Sequence, residues 1–194
     1  MISSGTPRFF DIEQNVRNYI ESREGLDGRS LIEILKLYLK AGSTLLELGM
    51  GPGKDLEILC NTYIATGSDN SAIFTEIYKE KHPDADILIL DAVTLRSERK
   101  FDCIYSNKVL HHLSRNDLAL SITRQHQMLN NNGLLFHTFW KGNNETEFMD
   151  LRFVHYSISE LRKMTDHLFE VVEAGSYGEM NLGDSIYLIL RKKR

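Results

Sequence analysis

The sequence predicts an α/β fold, a mostly parallel sheet with helices wound on both faces. Three observations predict it. From residue 44 onward, short apolar runs alternate with amphipathic stretches of helical length; a glycine-rich turn follows the first run; and a carboxylate stands at the end of each of the first three. Only three prolines occur in 194 residues, and no Gly/Ser-rich linker, internal repeat or low-complexity tract divides the chain. One domain over 1–194 is therefore expected, with an N-terminal helical segment over 1–43 and a ligand-binding core over 44–194.

The elements follow in order. Val16, Tyr19 and Ile20 fall at i, i+3 and i+4 of a first helix. Ser30-x-x-Glu33 reads as a capping box that opens a second helix running through Leu31 to Leu39. Strand Thr44 to Leu48 precedes a helix from about Gly53 to Cys60, and strand Tyr63 to Gly67 precedes a helix near Ala72 to Lys81. Strand Ile87 to Leu90 leads by a short connection to strand Phe101 to Tyr105. A long helix covers roughly Arg115 to Leu129, and Asn130-Asn-Asn-Gly133 is read as its terminator before strand Leu134 to Phe139. The connection Lys141 to Tyr156 is long for this architecture, and long loops tend to be functional. A second capping box, Ser157-x-x-Glu160, starts a helix that ends before strand Phe169 to Ala174. About ten residues without helical pattern separate that strand from the last, Ser185 to Leu190. They are too few for a crossover helix, so the final strand is expected to run antiparallel.

Bulk composition narrows the function classes. Hydrophobic content of 42% and charged content of 26% are those of an ordinary globular protein. A formal net charge of −4 gives no electrostatic drive toward nucleic acid or an anionic membrane. The basic end, Arg191 to Arg194, reads as the solvated end of a strand. Two cysteines, Cys60 and Cys103, lack metal or redox spacing and read as buried thiols of a reducing compartment. No apolar window approaches the length of a membrane span, and a cytoplasmic protein is expected.

The chemistry concentrates at strand ends, where doubly wound sheets bind ligands. After the first strand comes Glu47 and a turn with Gly49, Met50, Gly51, Pro52 and Gly53. The glycine spacing is G-x-G-x-G, and Lys54 occupies the position where a dinucleotide-binding turn needs its third glycine. Pro52 has no N–H to give a phosphate, so a nicotinamide oxidoreductase is disfavoured. Asp69-Asn70 ends the second strand about twenty residues beyond the first glycine, placed either to accept ribose hydroxyls or to cap the next helix. Asp91-Ala92 ends the third, and Ser106-Asn107 the fourth, inside Phe101-Asp-Cys-Ile-Tyr-Ser-Asn-Lys-Val-Leu-His-His-Leu113.

These four segments, in order and at these intervals, resemble the motifs of the class I S-adenosylmethionine-dependent methyltransferases from Thr44 to the last strand. The resemblance implies a Rossmann-like seven-stranded sheet of order 3-2-1-4-5-7-6 with strand 7 antiparallel, and S-adenosylmethionine as cofactor. It implies that Glu47, Gly49, Met50, Gly51, Gly53, Asp69, Asn70, Asp91, Ala92, Ser106 and Asn107 bind that cofactor. Asp69 would meet the ribose, Asp91-Ala92 the adenine, and Ser106-Asn107 the methionine end. The N-terminal helices would serve as a lid, with Phe9, Phe10 and Tyr19 either over the sulfonium or stapled to the body.

Methyl transfer from a sulfonium needs mainly positioning, and a base only when the acceptor carries a proton. Candidate catalytic groups are His111, His112 and Tyr156, with the alternative for each that it packs the fold. Trp140, Phe148, Met149, Phe153 and His155 stand on the same stretch and could wall a pocket. Seven histidines show no ligand spacing, so no metal is expected. A near-minimal, mildly acidic chain fits transfer to an O or N atom of a small molecule, with no nucleic-acid or membrane partner. The alternatives are a protein or RNA methyltransferase, or a cofactor-binding partner without turnover. The sequence leaves the oligomeric state open.

Overall fold

The computed structural model describes residues 8–149 and 151–193; Arg194, read above as part of a basic end, lies outside them. A 3-10 turn over Phe9–Asp11 precedes α1 (Glu13–Ser22) and α2 (Arg29–Leu35). The core then runs β1 (Thr44–Leu48), α3 (Lys54–Leu59), β2 (Ile64–Asp69), α4 (Ala72–Lys81), β3 (Ile87–Ile89) and β4 (Phe101–Ser106). A 3-10 turn over Leu110–His112 leads to α5 (Arg115–Met128), β5 (Leu129–Trp140), β6 (Glu145–Phe148), β7 (Leu151–Val154), α6 (Ile158–Thr165), β8 (Phe169–Tyr177) and β9 (Ser185–Lys192).

Seven strands form one sheet in the order β3-β2-β1-β4-β5-β9-β8. β1 to β5 pair in parallel, and β9 is antiparallel to both β5 and β8. With β6 and β7 set aside as a separate hairpin, this is the expected 3-2-1-4-5-7-6 with a reversed last strand. Both faces of the sheet are covered, and the period of two along a strand divides its side chains between two cores. Leu45, Cys103, Tyr105, Leu134 and Phe136 pack with Leu31, Ile32 and Leu35 of α2. Their neighbours Leu46, Ile104 and Leu135 pack on the other side with Leu118 and Ile122 of α5 and Leu161 of α6. Ser157 caps α6, its hydroxyl accepting the Glu160 N–H at 3.1 Å. Among the described residues no helix is long and apolar enough to cross a membrane.

Five local readings are corrected. The Ser30 capping box does not form, because α2 starts earlier: Gly28 is its N-cap and gives its N–H to Asp55 at 2.5 Å. A side chain at 28 would collide with Asp55 and Tyr105, so only glycine brings the chain in at that point. The Asn130–Gly133 run is a bulge within β5, not a helix terminator. α5 ends because Leu129 turns extended and Lys192 takes the carbonyls of His126 and Leu129. The register then jumps from Phe101 opposite Leu129 to Cys103 opposite Leu134, with Asn132 at φ +64°. Lys192 is thus bonded into the fold and is not a solvated strand end. The long connection after β5 holds an antiparallel hairpin, β6–β7, and Cys60 is exposed where a buried thiol was expected.

Candidate functional site

The carboxyl ends of β1, β2, β3 and β4 meet along one edge of the sheet, and hydrogen bonds link them in sequence. Asp69 at the end of β2 accepts the Gly51 N–H at 2.9 Å with one oxygen and the Ser71 N–H at 2.9 Å with the other. Its neighbour Asn70 donates to Asp91 beyond β3 at 3.4 Å. The other Asp91 oxygen closes the following turn, accepting the Thr94 N–H at 2.9 Å and the Thr94 hydroxyl at 3.0 Å. Gly51, Asp69 and Asp91 are therefore joined along a single sheet edge. Burial pushes the Asp69 pKa up against the N–H groups of Ser71 and Gly51, which favour its charge.

The three glycines of the turn have three different reasons. A Cβ on Gly49 would lie 2.5 Å from Val109, and one on Gly53 would lie 2.2 Å from the Tyr78 ring. Both exist for close packing at positive φ. Gly51 faces open space, its nearest neighbour being the Tyr19 ring at 3.9 Å. It alone bares backbone toward the cleft. The Met50 side chain turns away from it, buried with Leu56, Tyr78 and Ile87.

Glu47 lies beneath this turn, 3% exposed, and its Oε2 has no hydrogen-bond partner among the described residues. Burial raises its pKa well above the usual carboxylate range, with Asp55 and Asp69 adding repulsion. A buried carboxyl with an unused oxygen is costly to maintain and suits a cationic or N–H ligand.

Ser106 and Asn107 do not offer side chains to the cleft. The Ser106 hydroxyl bonds His137 Nδ1 at 2.8 Å. Asn107 Oδ1 accepts the Thr138 hydroxyl at 2.8 Å, and its Nδ2 donates to Asp55 at 3.1 Å. Because β5 and α3 flank the end of β4, these polar groups are satisfied inward. Asp55 collects the Gly28 N–H, the Asn107 amide and the Tyr105 hydroxyl at 2.7 Å, joining the N-terminal segment to the glycine-loop helix. Sequence reasoning missed this junction, whose members lie 27 to 52 positions apart. A charged residue at a face of α3 that otherwise reads apolar was the available signal.

The N-terminal aromatics close one side. Phe10 meets Tyr19 edge-on with ring centres 5.2 Å apart and packs on Phe74 of α4 at 5.4 Å. The Ser71 hydroxyl donates to the Phe10 carbonyl at 2.6 Å. The segment is thus stapled to the body and also brings Tyr19 over Gly51.

Beyond β4 the wall changes character. Lys108, at φ +56°, donates from Nζ to Ser185 at 2.7 Å, pairs with Glu179 at 2.9 Å, and sits 3.1 Å from the centre of the Trp140 ring. Its pKa is lowered by burial, a pull that Glu179 opposes. His111 is 2% exposed, and neither ring nitrogen has a partner among the described residues. Its ring stacks on Phe153 at 5.3 Å. His112 bonds the Arg152 carbonyl through Nδ1 at 2.7 Å. Burial lowers the pKa of both, most strongly at His111, and both are neutral imidazoles at pH 7. Tyr156 is corrected: it is wholly buried, edge-on to Phe139 at 5.2 Å with the Arg115 guanidinium over its ring, inside the core and away from the rim.

Residues 45–133 match the family model described as a methyltransferase domain. Among curated proteins none matches the sequence. Similar solved structures include an S-adenosylmethionine-dependent methyltransferase from Clostridium acetobutylicum, at TM-score 0.75 and 14% identity over 93% of this chain and 99% of that one. The N-methyltransferase NodS from Bradyrhizobium japonicum, in complex with S-adenosyl-L-homocysteine, aligns at TM-score 0.70 and 17% identity over 92% and 99%. A 1,6-didemethyltoxoflavin N1-methyltransferase from Burkholderia thailandensis, with that molecule and S-adenosylhomocysteine bound, aligns at TM-score 0.73 and 16% identity over 100% and 93%. At these identities the likeness is one of fold.

Proposed function

We propose that the chain, whose residues 45–133 match the methyltransferase-domain model, is an S-adenosylmethionine-dependent methyltransferase of the class I kind that methylates an oxygen or nitrogen atom of a small molecule. The observation that carries the reading is the chain of contacts from Gly51 through Asp69 and Asn70 to Asp91 along one sheet edge. It lines up bare backbone and two carboxylates where an adenosine would lie.

The residues fit S-adenosylmethionine. The unused Glu47 oxygen is an acceptor for an ammonium group, Asp69 for ribose hydroxyls and Asp91 for an exocyclic amine. Gly51 leaves room for close approach. When bound, the cofactor supplies an activated methyl group on a sulfonium. The chain's own part is to hold the acceptor in line and exclude water, for which Phe10, Tyr19, Trp140 and Phe153 supply apolar surface. The small-molecule assignment rests on the absence of a basic surface stripe in a chain of net charge −4, and on the small-molecule acceptor named for the Burkholderia neighbour.

Isothermal titration with S-adenosylhomocysteine tests the reading. Saturable binding is expected, together with a raised melting temperature that NADH does not produce. Binding of NADH in preference would overturn it.

A further inference from the structure

Resting on the reading just given, the wall beyond β4 carries a statement about the acceptor. It is aromatic on two sides, with Trp140 at the end of β5 and Phe153 on β7, and the unpartnered His111 ring lies 6.4 Å from the one and 5.3 Å from the other. The wall adjoins the glycine turn. Val109, two residues before His111, packs against Gly49, while Tyr19 over Gly51 carries the Arg23 guanidinium 5.4 Å from its ring centre, one turn along α1.

The charge around His111 and His112 is one-sided. Lys108 is balanced by Glu179. The Asp184 carboxylate in the same loop is consumed by the N–H groups of residues 179, 180 and 181. Arg23 has no carboxylate partner among the described ion pairs; burial first, and then positive neighbours that include Arg23, disfavour positive charge on His111 and His112. A protonated amine placed here would be repelled, whereas an anion would be attracted in a region where water screens poorly.

We propose that the acceptor is an aromatic acid, a planar ring bearing a carboxylate or phenolate, with its ring against Trp140 and Phe153, its negative charge toward Arg23 and a hydrogen bond to His111. Such an acceptor arrives with its proton already gone, so neutral His111 is suited to orienting it and no general base is required. His111, Trp140, Phe153 and Arg23 then act together as a specificity surface for charge sign and planarity.

Trp140 is the single tryptophan of the chain, so its fluorescence reports this wall directly. The protein saturated with S-adenosylhomocysteine would be titrated with benzoate, benzylammonium and cyclohexanecarboxylate. Benzoate is expected to quench saturably, and the other two at least roughly tenfold more weakly. Arg23→Gln and His111→Phe should each weaken benzoate by roughly tenfold, while Arg17→Gln on the outer face of α1 leaves it unchanged. Arg23→Gln keeps the test meaningful if the His111 variant fails to fold. Benzylammonium binding as well as benzoate, benzoate affinity indifferent to Arg23→Gln, or no saturable benzoate quenching would each overturn the proposal. Calorimetry with S-adenosylhomocysteine is read separately. Its failure would sink the methyltransferase assignment, and its success without benzoate binding would sink only the acceptor class.

Discussion

The Tyr105 hydroxyl donates to Asp55 at 2.7 Å, and both side chains are buried. Tyr105 is the penultimate residue of β4 and Asp55 the second of α3, so the bond ties the end of β4 to the helix that follows the glycine turn. The same carboxylate takes the Gly28 N–H, which brings the N-terminal segment to the junction.

Removing the carboxylate therefore leaves two buried donors and one half-buried donor without a partner. Asp55→Ala is expected to destabilise the protein by about 3 kcal/mol or more, and Tyr105→Phe, which removes one donor and leaves Asp55 two others, by about 1–2 kcal/mol. Urea unfolding monitored at equilibrium measures both. A Tyr105→Phe loss equal to that of Asp55→Ala would show that Asp55 has no partner that matters besides Tyr105.

Asp69 has a structural duty to Gly51 as well as a proposed ribose contact, and two substitutions separate them. Asp69→Asn keeps an oxygen for the Gly51 N–H but turns its amide nitrogen toward the Ser71 N–H, so it should lose less stability than the alanine variant while losing affinity for S-adenosylhomocysteine by about 1–3 kcal/mol. Asp69→Ala should lose affinity by at least as much and stability as well. Calorimetry and thermal melts read the two effects independently. Unchanged affinity in both variants would remove Asp69 from the binding surface.

The strand ends were legible in the sequence because each is marked locally: an apolar run, then a carboxylate or glycine within two residues. Those marks place Gly51, Asp69 and Asp91 along one sheet edge before any coordinates. They do not tell which glycine bares backbone and which admits a neighbour, since Val109 and Tyr78 come from 60 and 25 positions away in sequence. The inward turn of the Ser106 and Asn107 side chains was hidden for the same reason. Their partners His137, Thr138 and Asp55 are non-local, and a polar residue at a strand end looks alike whether it faces ligand or core. The β6–β7 hairpin escaped because its strands of four residues each carry charges and little alternation. Tyr156 sits beside a helix cap at the expected rim, yet bridging to Lys141 turns its ring into the core.

Glu47 gives a pH dependence of the less common sign. Its folded pKa lies well above the unfolded one through burial, then Asp55 and Asp69. A group of this kind contributes stability that is complete below the unfolded pKa near 4.3 and is lost as pH rises through the folded pKa. Glu47→Gln removes that loss, so the ligand-free variant should be more stable than the parent at neutral pH and should gain less on acidification. The same change should weaken S-adenosylhomocysteine, since the amide no longer offers a charge to the ammonium group. Melting curves across the acid-to-neutral range, with and without ligand, check both. A variant less stable than the parent at neutral pH without ligand would contradict the argument.

His137 gives the opposite dependence and reports on how β3 and β4 are held. It lies wholly inside the protein, and burial lowers its pKa from 6.5 to about 3. Its Nε2 faces Gln125 Oε1 at 2.7 Å, an atom that only accepts, so Nε2 carries the proton and Nδ1 accepts from the Ser106 hydroxyl. Gln125 in turn donates to Ser121 at 3.0 Å, and the Ser121 hydroxyl donates to the Ala92 carbonyl at 2.6 Å. A buried chain thus runs from the end of β4 to the residue following Asp91, and protonating His137 breaks it by turning an acceptor into a donor. A histidine with a depressed folded pKa contributes stability that is present above the unfolded pKa and lost as pH falls toward the folded one. Between about pH 7 and about pH 4 that loss is on the order of 3 kcal/mol. His137→Gln can keep both hydrogen bonds without titrating, so its unfolding free energy should fall less over this interval, by about that amount. Urea unfolding of parent and variant at the two pH values supplies the comparison. Parallel losses in the two proteins would mean that His137 is not protonated on unfolding and that the buried chain is not held in the neutral form described.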